Sequence, residues 1–154
     1  MRQRPGTPDF RMRRGMTLLE LLIVLAIIGI IAGFMIPRLA EPLDDLAVEA
    51  AALRVAGAHG QARLAARAAS GTALLLVTAD SLIVRTVVGA DTLTTWSDAG
   101  PAADRVALSG PARPLAFAPT GWTAGVANAT YHLARGTAAR DVIISRYGRV
   151  RIVR

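Results

Sequence analysis

The stretch Arg13-Arg14-Gly15-Met16-Thr17-Leu18-Leu19-Glu20 opens an apolar run that continues to Ile36. From Thr17 to Ile36 the sole charged residue is Glu20. An α-helix rises about 1.5 Å per residue, so these residues span roughly the 30 Å hydrocarbon core of a bilayer. An ionised side chain in lipid costs on the order of 2.5–3.5 kcal/mol, so a carboxylate at this place calls for a partner. The flanks set an orientation. Arg2, Arg4, Arg11, Arg13 and Arg14 precede the run, whereas Arg38 is followed by Glu41, Asp44, Asp45 and Glu49. The excess of arginine before the span places the N-terminus in the cytoplasm and the rest of the chain across the membrane. A cleaved secretory signal has an apolar core of about 7–15 residues with a small-residue cut site after it. This run is longer and ends in Phe34-Met35-Ile36-Pro37.

Gly15, Met16, Thr17 and Glu20, followed by Leu21-Leu22-Ile23-Val24-Leu25-Ala26-Ile27-Ile28-Gly29-Ile30, resemble the class III signal of type IV pilins and pseudopilins. The resemblance implies cleavage between Gly15 and Met16 by a membrane-embedded prepilin peptidase acting on the cytoplasmic side. It also implies methylation of Met16 as the new N-terminus. Most members of that family have phenylalanine where this chain has Met16, an apolar residue of similar bulk. Cleavage gives Glu20 its partner: the α-amine of Met16 lies four residues away on the same helix face. In the family this glutamate pairs with the N-terminal amine of an adjacent subunit during assembly, so the resemblance assigns Glu20 an assembly contact.

Composition sets further bounds. The chain has 154 residues, 53% of them apolar, enough for a membrane helix and one small domain. The formal charge of +7 is concentrated at the start, where residues 1–15 hold five Arg and one Asp; without them it falls to +3. Every basic residue is arginine. There is no cysteine, which excludes disulfides, thiol catalysis and cysteine-ligated zinc.

With the cut site that the resemblance implies, the chain is expected to divide into residues 1–15, a cytoplasmic class III leader that is cleaved; 16–36, a transmembrane helix; 37–70, an amphipathic extension of that helix; and 71–154, a β-rich periplasmic domain. Pro37 and Pro42 are expected to bend or locally melt the helix. Beyond them Leu43, Leu46, Ala50, Leu53, Gly57, Gly60, Leu64 and Ala68 recur at steps of three and four, and this stripe is expected to be the core face. Gly29 and Gly33 have GxxxG spacing, a weak sign of close helix approach in a membrane. Ser70-Gly71 supplies the helix stop.

From Thr72 the period changes. Short runs rich in Leu, Val, Ile and Thr predict strands at 72–78, 82–88 and 92–96 as an antiparallel meander. Further strands are expected near 105–108, 115–118, 130–133, 141–145 and 149–153, with Tyr147-Gly148 turning the last pair. A long N-terminal helix packed on an antiparallel sheet is an α+β architecture.

Enzymatic signatures are sparse. His59 falls in the helical region and His132 in a strand, and neither has a neighbouring carboxylate in a recognisable constellation, so each reads as a surface or packing residue. No nucleophile elbow and no phosphate loop occurs in the sequence. Acidic residues do not cluster at calcium-loop spacing, which separates this chain from the calcium-binding major pseudopilin of type II secretion. No catalytic residue, metal or cofactor is implied.

A second resemblance lies in Ala62–Ala68, in Phe117-Ala118-Pro119-Thr120-Gly121 and in Val142-Ile143-Ile144-Ser145-Arg146-Tyr147-Gly148-Arg149-Val150-Arg151. These are similar to the H-type minor pseudopilin of type II secretion and the FimT-type minor pilin family. The resemblance implies a structural subunit that partners other pilin-like subunits and the inner membrane. Residues 131–154 hold six Arg against one Asp. Arg149 and Arg151, two apart on a strand, would share one face with Arg146 nearby, where they could grip phosphates. In FimT-type pilins a comparable Gly-Arg-x-Arg element is implicated in DNA binding. The bland alternative is an edge strand guarded by charge. A membrane-anchored periplasmic enzyme is the alternative from another functional class.

Overall fold

A computed structural model of the chain describes residues 16–125 and 128–154. Two compact units divide at Arg38, the second being Leu39–Arg154. One helix, α1 (Leu18–Ala68), contributes to both. Its described part in the first unit is apolar and uncovered, with no residue of Leu18–Met35 buried. Helical structure is unbroken at Pro37 and Pro42, so the expected local melting is not found. A proline removes a single donor from the i→i−4 ladder, and the surrounding turns keep their own bonds.

In the second unit α1 is followed by nine strands among the described residues: β1 (Ala73–Val77), β2 (Ser81–Val88), β3 (Asp91–Ala99), β4 (Ala107–Ser109), β5 (Leu115–Phe117), β6 (Thr123–Ala124), β7 (Ala129–Arg135), β8 (Ala138–Ile144) and β9 (Val150–Val153). They form two antiparallel sheets, ordered β3-β2-β1-β5-β6 and β4-β7-β8-β9. The meander holds for β1 to β3, after which β5 returns to pair with β1 rather than with β4. Between β3 and β4 the chain makes a 3-10 turn, Pro101–Asp104. The two-residue strand β6 carries too little periodicity to be read from sequence.

The helix face that packs is not the one its leucines suggest. Val48, Ala51, Ala52, Val55, Ala58, His59, Ala62 and Ala66 are buried, whereas Leu43, Leu46, Ala50, Leu53, Gly57, Gly60, Leu64 and Ala68 are all exposed. Both sets follow the 3.6-residue period, so periodicity alone does not choose between them. Two physical effects do. The alanine-lined face lets the helix lie close on the sheets, and the charged residues flanking it reach strands and loops that hold the helix there. Arg54 pairs with Asp104, Arg135 Nε meets Asp44 Oδ1 at 2.7 Å, and Arg140 meets Asp45 at 2.8 Å and Glu49 at 3.0 Å. The core this creates is completed by Leu75, Leu82, Val84, Leu115, Phe117, Tyr131, Leu133, Val142 and Ile144, the alternate inward residues of five strands.

Candidate functional site

Three places in the chain bear on function, and the first is the start of α1. The Glu20 N–H donates to Thr17 Oγ1 at 3.2 Å, and the Leu21 N–H donates to the Thr17 carbonyl at 3.2 Å. Thr17 is thus the N-cap, and Glu20 sits three residues on, the spacing of a capping box. A carboxylate in the first turn also faces the positive end of the helix dipole. The capping spacing was present in the sequence as Thr-Leu-Leu-Glu and is the signal that the membrane pattern obscured. Glu20 is exposed and makes no ion pair among the described residues. Met16 is exposed just before the cap, while Gly15 and the expected cut lie outside the described residues.

The second place is the outer face of α1 in the second unit. Leu43, Leu46, Leu53 and Leu64 are between 57% and 67% exposed, with Gly57 and Gly60 in the same stripe. A Cβ added at either glycine would meet nothing within 4 Å. Burying a leucine side chain is worth about 1.5–3 kcal/mol, so a row of four left in water is a substantial unused driving force.

The third lies where the turns after β5 and β8 meet the C-terminal part of α1. The β8–β9 turn closes through Gly148 N–H to Ser145 O and Ser145 N–H to Arg149 O, each at 2.9 Å. Arg149 ends this turn, one residue before β9, and Arg151 lies on the strand. Arg146, Arg149 and Arg151 are exposed, and none has an ion-pair partner among the described residues. Two arginines of α1 hold the turns in place. Arg63 donates to Gly121 O at 2.9 Å and to Gly148 O at 3.3 Å, and Arg67 donates to Thr120 O at 3.4 Å.

The histidines separate. His59 is 3% exposed, edge-on to Phe117 with ring centroids 5.1 Å apart, which makes it a packing residue. Burial, reinforced by the Arg63 charge, pulls its pKa from 6.5 down to about 4. His132 does have a carboxylate neighbour, contrary to the sequence expectation: Nδ1 lies 2.6 Å from Asp141 Oδ1 across the β7–β8 pair. Ser109 is its register partner on the other side, so Ser109, His132 and Asp141 form one row across three strands. The row was hidden because its members are nine or more residues apart and only strand register unites them. It stands on the solvent face, with the His132 side chain 53% exposed, where water competes for each of its bonds. Its chemistry is that of a cross-strand polar pair.

A model of the prokaryotic N-terminal methylation motif matches residues 10–36. No curated protein matches the chain. Among solved structures, the type IV minor pilin FimU of Pseudomonas aeruginosa strain PAO1 is similar in two crystal forms. In space group P21 the identity is 15%, with 70% of this chain and 88% of FimU covered at a TM-score of 0.58. In space group P65 the values are 14%, 69%, 92% and 0.56. At these identities the likeness shows a shared fold. The chain thus joins a prokaryotic N-terminal methylation motif to a pilin-like α+β fold.

Proposed function

We propose that the chain is a minor structural subunit of a pilin-like filament, held in the inner membrane by residues 16–36 before assembly, with residues 71–154 in the periplasm. Prepilin peptidase cuts between Gly15 and Met16, and other pilin-like subunits are its partners. The observation that carries this reading is the uncovered leucine row of α1. A solitary soluble domain turns its leucines inward, whereas this one seats alanines inside and leaves Leu43, Leu46, Leu53 and Leu64 for something else to cover. Helices of neighbouring subunits supply that cover in a filament. The absence of cysteine makes the test clean, since a single engineered Cys at Leu53 is the chain's one thiol. With a second single Cys placed at the corresponding helix position of each other pilin-like subunit, oxidation of assembled material should join the two thiols in a disulfide to one of them, and a chain that stays uncross-linked to all of them in sheared filaments would overturn the assignment.

The machine we assign is the type II secretion pseudopilus, with this chain as its H-type minor pseudopilin; the closing residues 142–151, which resemble the H-type and FimT-type family jointly, support a place in that family. A second reading, a FimT-type minor pilin serving a type IV pilus or DNA uptake, is favoured by Arg146, Arg149 and Arg151, which are exposed and have no ion-pair partner among the described residues. Deletion separates the two: loss of exoprotein export supports the first, and loss of pili or of transformation supports the second.

A further inference from the structure

Two large aromatic side chains stand in water at the turns held by α1. Trp122 is 59% and Tyr147 70% exposed, yet their rings lie 6.3 Å apart at 87°, edge to face. They come from different hairpins, so the contact is tertiary. The turn that carries Trp122 is closed by Gly121 N–H to Ala118 O and by Ala118 N–H to Trp122 O, each at 2.8 Å. Thr123 Oγ1 donates to Arg146 O and joins one turn to the other. Arg63 and Arg67 then fasten both to the helix. Gly121 and Gly148, at φ +80° and +70°, are conformations a side chain rarely adopts, and a Cβ on Gly121 would lie 2.7 Å from Arg67 Nε. The backbone beneath the rings is therefore fixed before anything binds.

The charge around the rings has one sign. Arg146 and Arg149 flank Tyr147, Arg151 follows on β9, and from Arg105 to Arg154 the only carboxylate side chain is Asp141, which is engaged with His132. We propose that the Trp122–Tyr147 pair is the anchor of a docking surface for an acidic protein surface. Trp, Tyr and Arg dominate the residues that carry binding energy at protein interfaces, and a rigid aromatic anchor loses little conformational entropy on docking. Unpaired guanidinium groups around it select a carboxylate-rich rim on the partner. Single-stranded nucleic acid is the other polyanion, but it needs successive ring faces on which bases stack. In an edge-to-face pair one ring covers part of the other, which suits a single wedge better than a run of bases. The inference stands on this end of the domain alone and holds whether or not the chain enters a filament.

The test uses the full chain in its native host with a photoreactive benzoylphenylalanine in place of Tyr147, and mass spectrometry of the adduct. The expected result is cross-linking to one identified protein, within a segment of net negative charge, at a yield that falls about tenfold when Arg146 and Arg149 are both changed to Glu. Charge reversal in the mapped segment should restore the yield to that double variant. Because both arginines are exposed, the variant should melt with the parent in detergent, which separates lost docking from lost folding. A yield no higher than from the same probe at exposed Ser109 overturns the proposal, as does an adduct on a segment without acidic excess. Binding of an oligothymidylate by the purified full chain, abolished in the same double variant, would place nucleic acid there instead and equally overturn it.

Discussion

At the scale of single residues, His59 and Arg140 show how the helix is held and what it costs to disturb it. His59 is neutral in the folded state because burial, with Arg63 nearby, lowers its pKa to about 4. The unfolded chain binds a proton near 6.5, so the contribution of a neutral His59 is intact above that pH and is lost as pH falls from 6.5 toward 4. The linkage amounts to about 2 kcal/mol at pH 5. Melts of the full chain in detergent should therefore lose more stability between pH 7 and pH 5 than melts of His59→Leu, and equal losses would refute the assignment. Arg140 presents the opposite problem, a guanidinium 9% exposed that depends on two carboxylates about 40% exposed. Arg140→Met leaves Asp45 and Glu49 able to turn to water. Asp45→Asn with Glu49→Gln strands the buried cation, and such stranding costs roughly 3–5 kcal/mol. The double neutral variant should thus be the less stable of the two by urea titration, and the reverse order would show that the ion pairs are not what seats the helix.

At the scale of elements, the sequence was legible where periodicity met a composition that only one structure satisfies. Runs rich in Leu, Val and Ile mark β1, β2 and β8, the alternation of Tyr131 and Leu133 with polar residues marks β7, and Tyr147-Gly148 marks the last turn, because Gly148 takes φ +70° there. α1 was legible as a helix but not in its rotation about its own axis. Its two apolar faces have the same period, and the larger residues lie on the outward one. Only the approach of the sheets, which admits Ala51, Ala58, Ala62 and Ala66, settles the choice. The row Ser109–His132–Asp141 was illegible for a related reason, since register is a property of paired strands. The rotation of α1 has a direct test. Ala58→Leu should lower stability by about 1–3 kcal/mol through overpacking, whereas Leu53→Arg should leave the melt within ±0.5 kcal/mol and remove the chain from sheared filaments. If Leu53→Arg unfolds the domain while Ala58→Leu is silent, the faces are reversed.

At the scale of the whole molecule, two requirements meet in the first turn of α1. In the function proposed above, the segment must be apolar enough to remain in lipid, and it must carry the information that places one subunit beside the next. Thr17 serves the first by capping the helix start through its hydroxyl, which leaves one fewer bare N–H group at the start of the apolar helix. Under the proposed function Glu20 would serve the second through its charge, because a carboxylate in lipid is tolerable when paired and costly when alone. These roles predict different outcomes for different substitutions. Gly15→Val should stop maturation and leave the leader attached, so a mature band of unchanged mass would refute the cut between Gly15 and Met16. Glu20→Ala should be processed normally, since the cut precedes it, yet enter filaments poorly. Glu20→Gln isolates the charge: the amide can still approach the backbone at the cap but cannot pair with an α-amine. If the glutamate acts through pairing with a neighbouring subunit, Glu20→Gln will fail in assembly as Glu20→Ala does; if it acts only as a cap, Glu20→Gln will assemble as the parent chain does.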